Sequence, residues 1–149
     1  MKKILLTGAN GFIGRHAIEG LKRRGYEVHA ISRLHSDSSV NVNWHNVDIF
    51  NSAQLESVFK KVRPSHLLHF AWNVEPKTYM ASVENFRWVR ASLELLNLFQ
   101  ENGGVRAVFA GTCAEYDWRY ECLRETITPC HPISNYGICK NSLNEMISA

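Results

Sequence analysis

The 149-residue chain is predicted to fold as a doubly wound α/β protein, a parallel sheet in strand order 3-2-1-4-5 with helices on both faces. Three observations carry that expectation. Short apolar runs of strand character recur along the chain, helical periodicity fills most of the gaps between them, and a glycine-rich turn joins the first strand directly to the first helix. Parallel neighbours need crossover connections, and here the connections are helical.

Each element has its own signal. Ile4–Leu6 is the first strand, and a helix running from Phe12 to Arg24 ends at Gly25. Val28–Ile31 and Val42–Trp44 are the second and third strands. Leu55, Val58, Phe59 and Val62 then repeat at the spacing of a helix with one buried face, with Asn51 and Gln54 as its cap and Pro64 as its end. Leu67–Phe70 is the fourth strand. A long helix from Tyr79 to Glu101 turns Val83, Phe86, Val89, Leu93, Leu96 and Phe99 to the core and stops at Asn102-Gly103-Gly104. Val105–Ala110 is the fifth strand, and Tyr136–Ile147 the last helix.

Composition narrows the function classes. With 45% hydrophobic and 21% charged residues the chain is globular, neither disordered nor fibrous. A net charge of +3 is too small for a nucleic-acid footprint. The apolar run after Lys2-Lys3 breaks at Thr7, so no export signal is expected, and no stretch nears the roughly 18 apolar residues of a membrane span. Cys113, Cys122, Cys130 and Cys139 lack C-x-x-C spacing and read as free thiols of a cytoplasmic protein rather than disulfides or metal ligands. No linker or repeat divides the chain, which reads as one unit.

The chemistry starts at the turn Thr7-Gly8-Ala9-Asn10-Gly11-Phe12-Ile13-Gly14, whose G-x-x-G-x-x-G spacing lets backbone approach a pyrophosphate at a helix N-terminus. Gly8, Asn10, Gly11, Phe12, Ile13 and Gly14 are therefore expected to bind a dinucleotide. An NAD site usually carries Asp or Glu at the end of the second strand. Here Ser32-Arg33 stands there, a hydroxyl and a guanidinium that suit a 2′-phosphate, so NADP is favoured and NAD remains possible. The alternative is a solvated Arg33 with Asp37 serving the ribose. Asp48, after the third strand, is placed to accept from the adenine amino group, or is simply a turn residue ahead of the helix. Phe70, Ala71 and Trp72 end the fourth strand, where an open sheet builds its crevice, while His69 reads as structural.

Tyr136 and Lys140 lie one helical turn apart and share a face. A neighbouring ammonium would favour the phenolate and draw a pKa of about 10 toward a working range for proton transfer.

Together with Asp48-Ile49, Arg63-Pro64 ahead of His69-Phe70-Ala71, and Gly111-Thr112-Cys113-Ala114-Glu115-Tyr116, these motifs make the chain resemble the extended short-chain dehydrogenase/reductase family. The likeness is to its nucleotide-sugar epimerases, dehydratases and 4-keto-sugar reductases. It implies a Rossmann-like fold, a cofactor site that includes Ile49 and Lys140, and a nucleotide-sugar substrate. Hydride transfer would be coupled to proton exchange at Tyr136, with Lys140 orienting the ribose. The family places a Ser-Ser or Ser-Thr pair after the fifth strand; the pair here is Thr112-Cys113, with strict register pointing to Cys113 and hydrogen-bonding capacity to Thr112, the favoured one. Glu115 matches an acidic residue near substrate in dehydratase and reductase relatives, or is a loop carboxylate. Family members continue into a further strand and a substrate lobe, so residues 1–149 are expected to be a truncated dinucleotide-binding domain lacking both, with Val105–Ala110 an uncovered edge. In the family the two long helices pair with their symmetry mates. Trp88, Leu95 and Leu98, in excess of the core stripe, are accordingly expected to serve a homodimer. The rival reading is a cofactor-binding module without turnover; a further alternative keeps the chemistry for a small ketone.

Overall fold

The computed structural model describes residues 2–33 and 42–149. Its order is β1 (Lys2–Thr7), α1 (Phe12–Arg23), β2 (Tyr26–Ser32), β3 (Asn43–Asn46), α2 (Ser52–Val62), β4 (His66–His69), α3 (Glu84–Glu101), β5 (Arg106–Phe109), a 3-10 turn at Cys113–Glu115, and α4 (Asn135–Ser148). The five strands form one parallel sheet in the order β3-β2-β1-β4-β5, as the sequence predicts. Packing divides the chain into two compact units. Met1–Trp72 with Glu94–Phe109 holds the sheet, α1 and α2; Asn73–Leu93 with Ala110–Ala149 holds the 3-10 turn and α4.

In the first unit the chain steps from β1 to β2 in one direction along the sheet and from β3 to β4 in the other. Right-handed crossovers therefore put α1 and α2 on opposite faces. Ile4, Leu6, Val28 and Ala30 alternate onto the face that buries Ile18 of α1. α2 buries Leu55, Val58, Phe59 and Val62, the four residues its periodicity selects. Its ends are also as expected: the Asn51 side chain accepts from the Gln54 amide, and Arg63, just before Pro64, takes the left-handed cap conformation.

α3 departs from expectation twice. It starts at Glu84 rather than Tyr79, because the Asn85 side chain donates to the carbonyls of Tyr79 and Ser82 while the Ser82 hydroxyl accepts from the Glu84 amide, which caps the helix there. Its buried face is also rotated: Ala91, Leu95, Leu98 and Phe99 are buried, whereas Val83 and Phe86 are 73% and 59% exposed. Leu95 and Leu98 are thus core, and the half-buried Trp88 is not a protruding anchor. The cysteines are unpaired, with Cys139 buried and the other three exposed. No helix among the described residues is long and apolar enough to cross a membrane.

Candidate functional site

The first unit carries the glycine turn. Gly8 has φ +68, and a Cβ there would stand 2.7 Å from the Ala71 amide nitrogen, so neither the conformation nor the space admits a side chain. A Cβ on Gly14 would overlap the Gly8 carbonyl, which is how closely α1 sits on the turn. Gly11 caps α1 with no side-chain hydrogen bond, and no acidic residue occupies the first turn. Unshielded helix-terminal amides next to a close backbone approach are the features that suit a pyrophosphate, so the residues present fit a dinucleotide. Phe12 and Ile13 are exposed at this turn.

The rim of the turn is ordered by side chains. Asn10 donates to the Ser32 hydroxyl at 2.9 Å, joining the loop to the end of β2, and Arg33 follows on the surface. Asp37 lies outside the described residues. Asp48 accepts the Phe50 amide at 3.0 Å while its own amide donates to Gln54, so it builds the turn into α2, and Ile49 beside it is buried. At the end of β4, the buried Thr7 hydroxyl shares a 2.6 Å hydrogen bond with His69 Nδ1 and accepts the Ala71 amide at 3.1 Å. These bonds tie His69 and the Ala71 amide to the end of β1. Trp72, the last residue of the stretch, is half-buried.

The second unit carries the phenol and the ammonium. Tyr136 and Lys140 are 8% and 6% exposed on α4, whose Ser134 cap accepts from the Gly137 amide at 3.0 Å. The Lys140 ammonium donates to the Ala110 carbonyl, and burial lowers its pKa while Glu115 opposes that shift. Tyr136 differs from expectation. Burial pushes its phenol above the ordinary value of 10.0, and what opposes the rise is a hydrogen bond with the Thr112 side chain.

Thr112 is held by a reciprocal cap: its hydroxyl accepts the Ala114 amide and its amide donates to Glu115 at 2.7 Å. Glu115 is consequently buried and engaged, not a loop carboxylate facing outward. Cys113 is exposed, and its carbonyl receives the Trp118 indole N–H. Sequence reasoning missed Asn85 and Tyr79. Tyr79 packs edge-on against Tyr136 at 5.0 Å. An Asn embedded in an apolar helical repeat was the available signal for the first; nothing local marks the second.

Residues 4–149 match the family described as NAD dependent epimerase/dehydratase. The chain belongs to that family. Among its relatives, dTDP-6-deoxy-L-talose 4-dehydrogenase (NAD(+)) of Aggregatibacter actinomycetemcomitans is 30% identical over 95% of this chain and 53% of its own. A UDP-glucose 4-epimerase from Thermotoga maritima, solved with UDP-glucose, is 28% identical, with a TM-score of 0.77 over 98% of this chain and 50% of that one. The UDP-glucose 4-epimerase of Thermus thermophilus, solved with NAD, is 30% identical, with a TM-score of 0.80 over 98% of this chain and 50% of that one. The chain spans about half the length of the relatives it matches.

Proposed function

We propose that the protein is an NADP-dependent oxidoreductase or epimerase acting on a nucleotide-linked 4-keto sugar. The observation that carries this reading is the arrangement around α4, where Tyr136 and Lys140 are both buried and Tyr136 is hydrogen-bonded to Thr112. In the reductive direction Tyr136 gives its proton to the carbonyl oxygen of the sugar; in the oxidative direction it takes the proton back. The Thr112 hydroxyl donates to the phenolate left behind, or to the substrate oxygen, and Glu115 holds Thr112 in place through its amide. Lys140, anchored on the Ala110 carbonyl, keeps a positive charge within the unit and serves the cofactor ribose. A dinucleotide bound there would supply or accept the hydride. Gly8, Gly11 and Gly14 would hold its pyrophosphate, and Ser32 with Arg33 its 2′-phosphate.

Relatives support the substrate class, since the names quoted above concern dTDP- and UDP-linked sugars. The exposed Val83, just ahead of α3, and Phe86 on it offer an apolar surface for a second copy, which makes a homodimer part of this reading. The test is Tyr136→Phe in the intact enzyme, assayed with NADPH and a nucleotide-linked 4-keto sugar. Turnover should vanish while calorimetric cofactor affinity stays nearly unchanged, and a variant that keeps most of its kcat overturns the assignment.

A further inference from the structure

We propose that the groove between β3 and α2 binds an oxyanion, either the phosphate group of a small metabolite or a free ion, and takes up a proton at His45 when it does so. The inference is independent of the acid/base reading of Tyr136. The groove has a volume of about 530 Å³, within the range of small-molecule sites. On the α2 side it is lined from Asn51, the helix cap, through Gln54 and Ser57 to Lys61, a run of roughly 15 Å. On the strand side it is lined by His45. What these groups offer is donors. The carboxamide oxygen of Asn51 accepts the Gln54 amide and that of Gln54 accepts the Asp48 amide, so each side chain has N–H left for a ligand. Lys61 adds an ammonium, and among the described residues no carboxylate lines the groove. Such a set suits an anion and repels a metal ion.

The place of the proton follows from the hydrogen bonds behind His45. His29 Nε2 lies 2.9 Å from the Glu27 carboxylate, which can only accept, so that nitrogen carries the hydrogen. In the neutral ring His29 Nδ1 is then an acceptor, and His45 Nε2, 3.0 Å away, donates to it. His45 Nδ1 is left as the acceptor at the end of the chain, where a further proton goes. The two rings stack with centroids 5.3 Å apart and planes at 19°. The charged groups around the pair are Glu27 on β2, Lys3 on β1 and Lys61 on α2. Burial is the main reason the His45 pKa lies below 6.5, and His29 and Lys61 lower it further. An anion beside Lys61 offsets that ammonium and favours the protonated ring, which in turn holds the anion.

The competing account is that the histidine pair only ties β2 to β3 and the groove is a hollow in the surface. Calorimetric titration of the full chain with sodium sulfate separates the two, run in buffers of different ionisation heat so that protons are counted. Sulfate does not titrate near neutrality as phosphate does, so any proton taken up goes to the protein. The expected result is saturable binding with up to one proton taken up, and an affinity that rises as the pH falls around 6.5, by at most about tenfold per pH unit. Lys61→Gln, at an exposed position, should weaken binding about tenfold. His45→Gln keeps an N–H for His29 and should abolish the proton uptake and flatten the pH dependence. Glucose 1-phosphate as a second titrant separates the sources: binding tighter than that of sulfate assigns the groove to a phosphorylated metabolite, and equal binding assigns it to a free ion. No saturable binding, an unchanged affinity in Lys61→Gln, binding without proton uptake, or the same uptake in His45→Gln overturns the proposal.

Discussion

Thr7→Val is the sharpest probe of how the first unit is held, because two physical arguments give it opposite signs. Valine has nearly the shape of threonine, suits a strand better and gains from burial in a site that is 0% exposed. On that account the change is neutral or stabilising. The hydroxyl argues otherwise. It is the partner of His69 Nδ1 at 2.6 Å and of the Ala71 amide at 3.1 Å, and no water replaces a partner in a closed site. Leaving each group unpaired costs about 1–3 kcal/mol, so with Ala71 only half-buried the expected loss is about 2–4 kcal/mol, against a total stability of roughly 5–15 kcal/mol. At about 3 kcal/mol the melting temperature falls by roughly 6–12 °C. Urea unfolding followed by tryptophan fluorescence measures it, with the midpoint shifted and the slope retained. Thr7→Ser supplies the ordering: it keeps the hydroxyl and gives up one methyl, about 0.8 kcal/mol. Serine should therefore be the milder change. A valine variant as stable as the parent, or milder than serine, would refute the account of this junction.

Three further outcomes follow from the geometry. Arg33→Ala should cost roughly 1–3 kcal/mol in NADPH binding and little in NADH binding, as read by calorimetry with both cofactors; equal losses would remove the 2′-phosphate assignment. Thr112→Val should reduce turnover far more than Cys113→Ala, because Thr112 is bonded to Tyr136 and Cys113 faces outward; the reverse order would return the role to the thiol. His29 and His45 share a 3.0 Å hydrogen bond between β2 and β3, and burial lowers both pKa values from 6.5. The unfolded chain therefore takes up protons first, so the contribution of the pair to stability is complete above pH 6.5 and is lost as the pH falls from there toward the folded values. Denaturant midpoints measured across that range should drop on acidification, and His45→Gln should flatten the dependence.

What could be read in advance followed how local its cause is. The strands, the α2 periodicity and the Asn51 cap depend on residues within one or two turns of each other, and the parallel pairing of the strands follows from their helical crossovers. The glycine turn belongs to the same class, since strand, turn and helix are contiguous. Burial raises the Tyr136 pKa, and burial depends on segments distant in sequence; the four-residue spacing to Lys140 shows only that the two share a face. Glu115 is the opposite case, since its bond to the Thr112 amide belongs to a local T-x-x-E capping box whose two members are three residues apart.

α3 shows the limit most clearly. Its sequence has apolar residues on more than one side: Val83, Phe86, Val89, Leu93, Leu96 and Phe99 form the expected core stripe, with Trp88, Leu95 and Leu98 in excess of it. Periodicity cannot choose between them. At the helix start the Ser82 hydroxyl accepts the Glu84 amide and the Asn85 side chain donates to the Ser82 carbonyl. In the fold Ala91, Leu95, Leu98 and Phe99 are buried, and Val83 and Phe86 lie on the surface. Surface apolar groups gained in this way are the ones to alter in a test of assembly: Phe86→Glu should abolish a dimer that uses this face and leave the fold intact, whereas a change at Leu95 would strike the core. Light scattering at micromolar concentration reads the result. A mass of two subunits that survives Phe86→Glu, or a single-subunit mass for the parent chain, would show that the exposed face of α3 is not where copies meet.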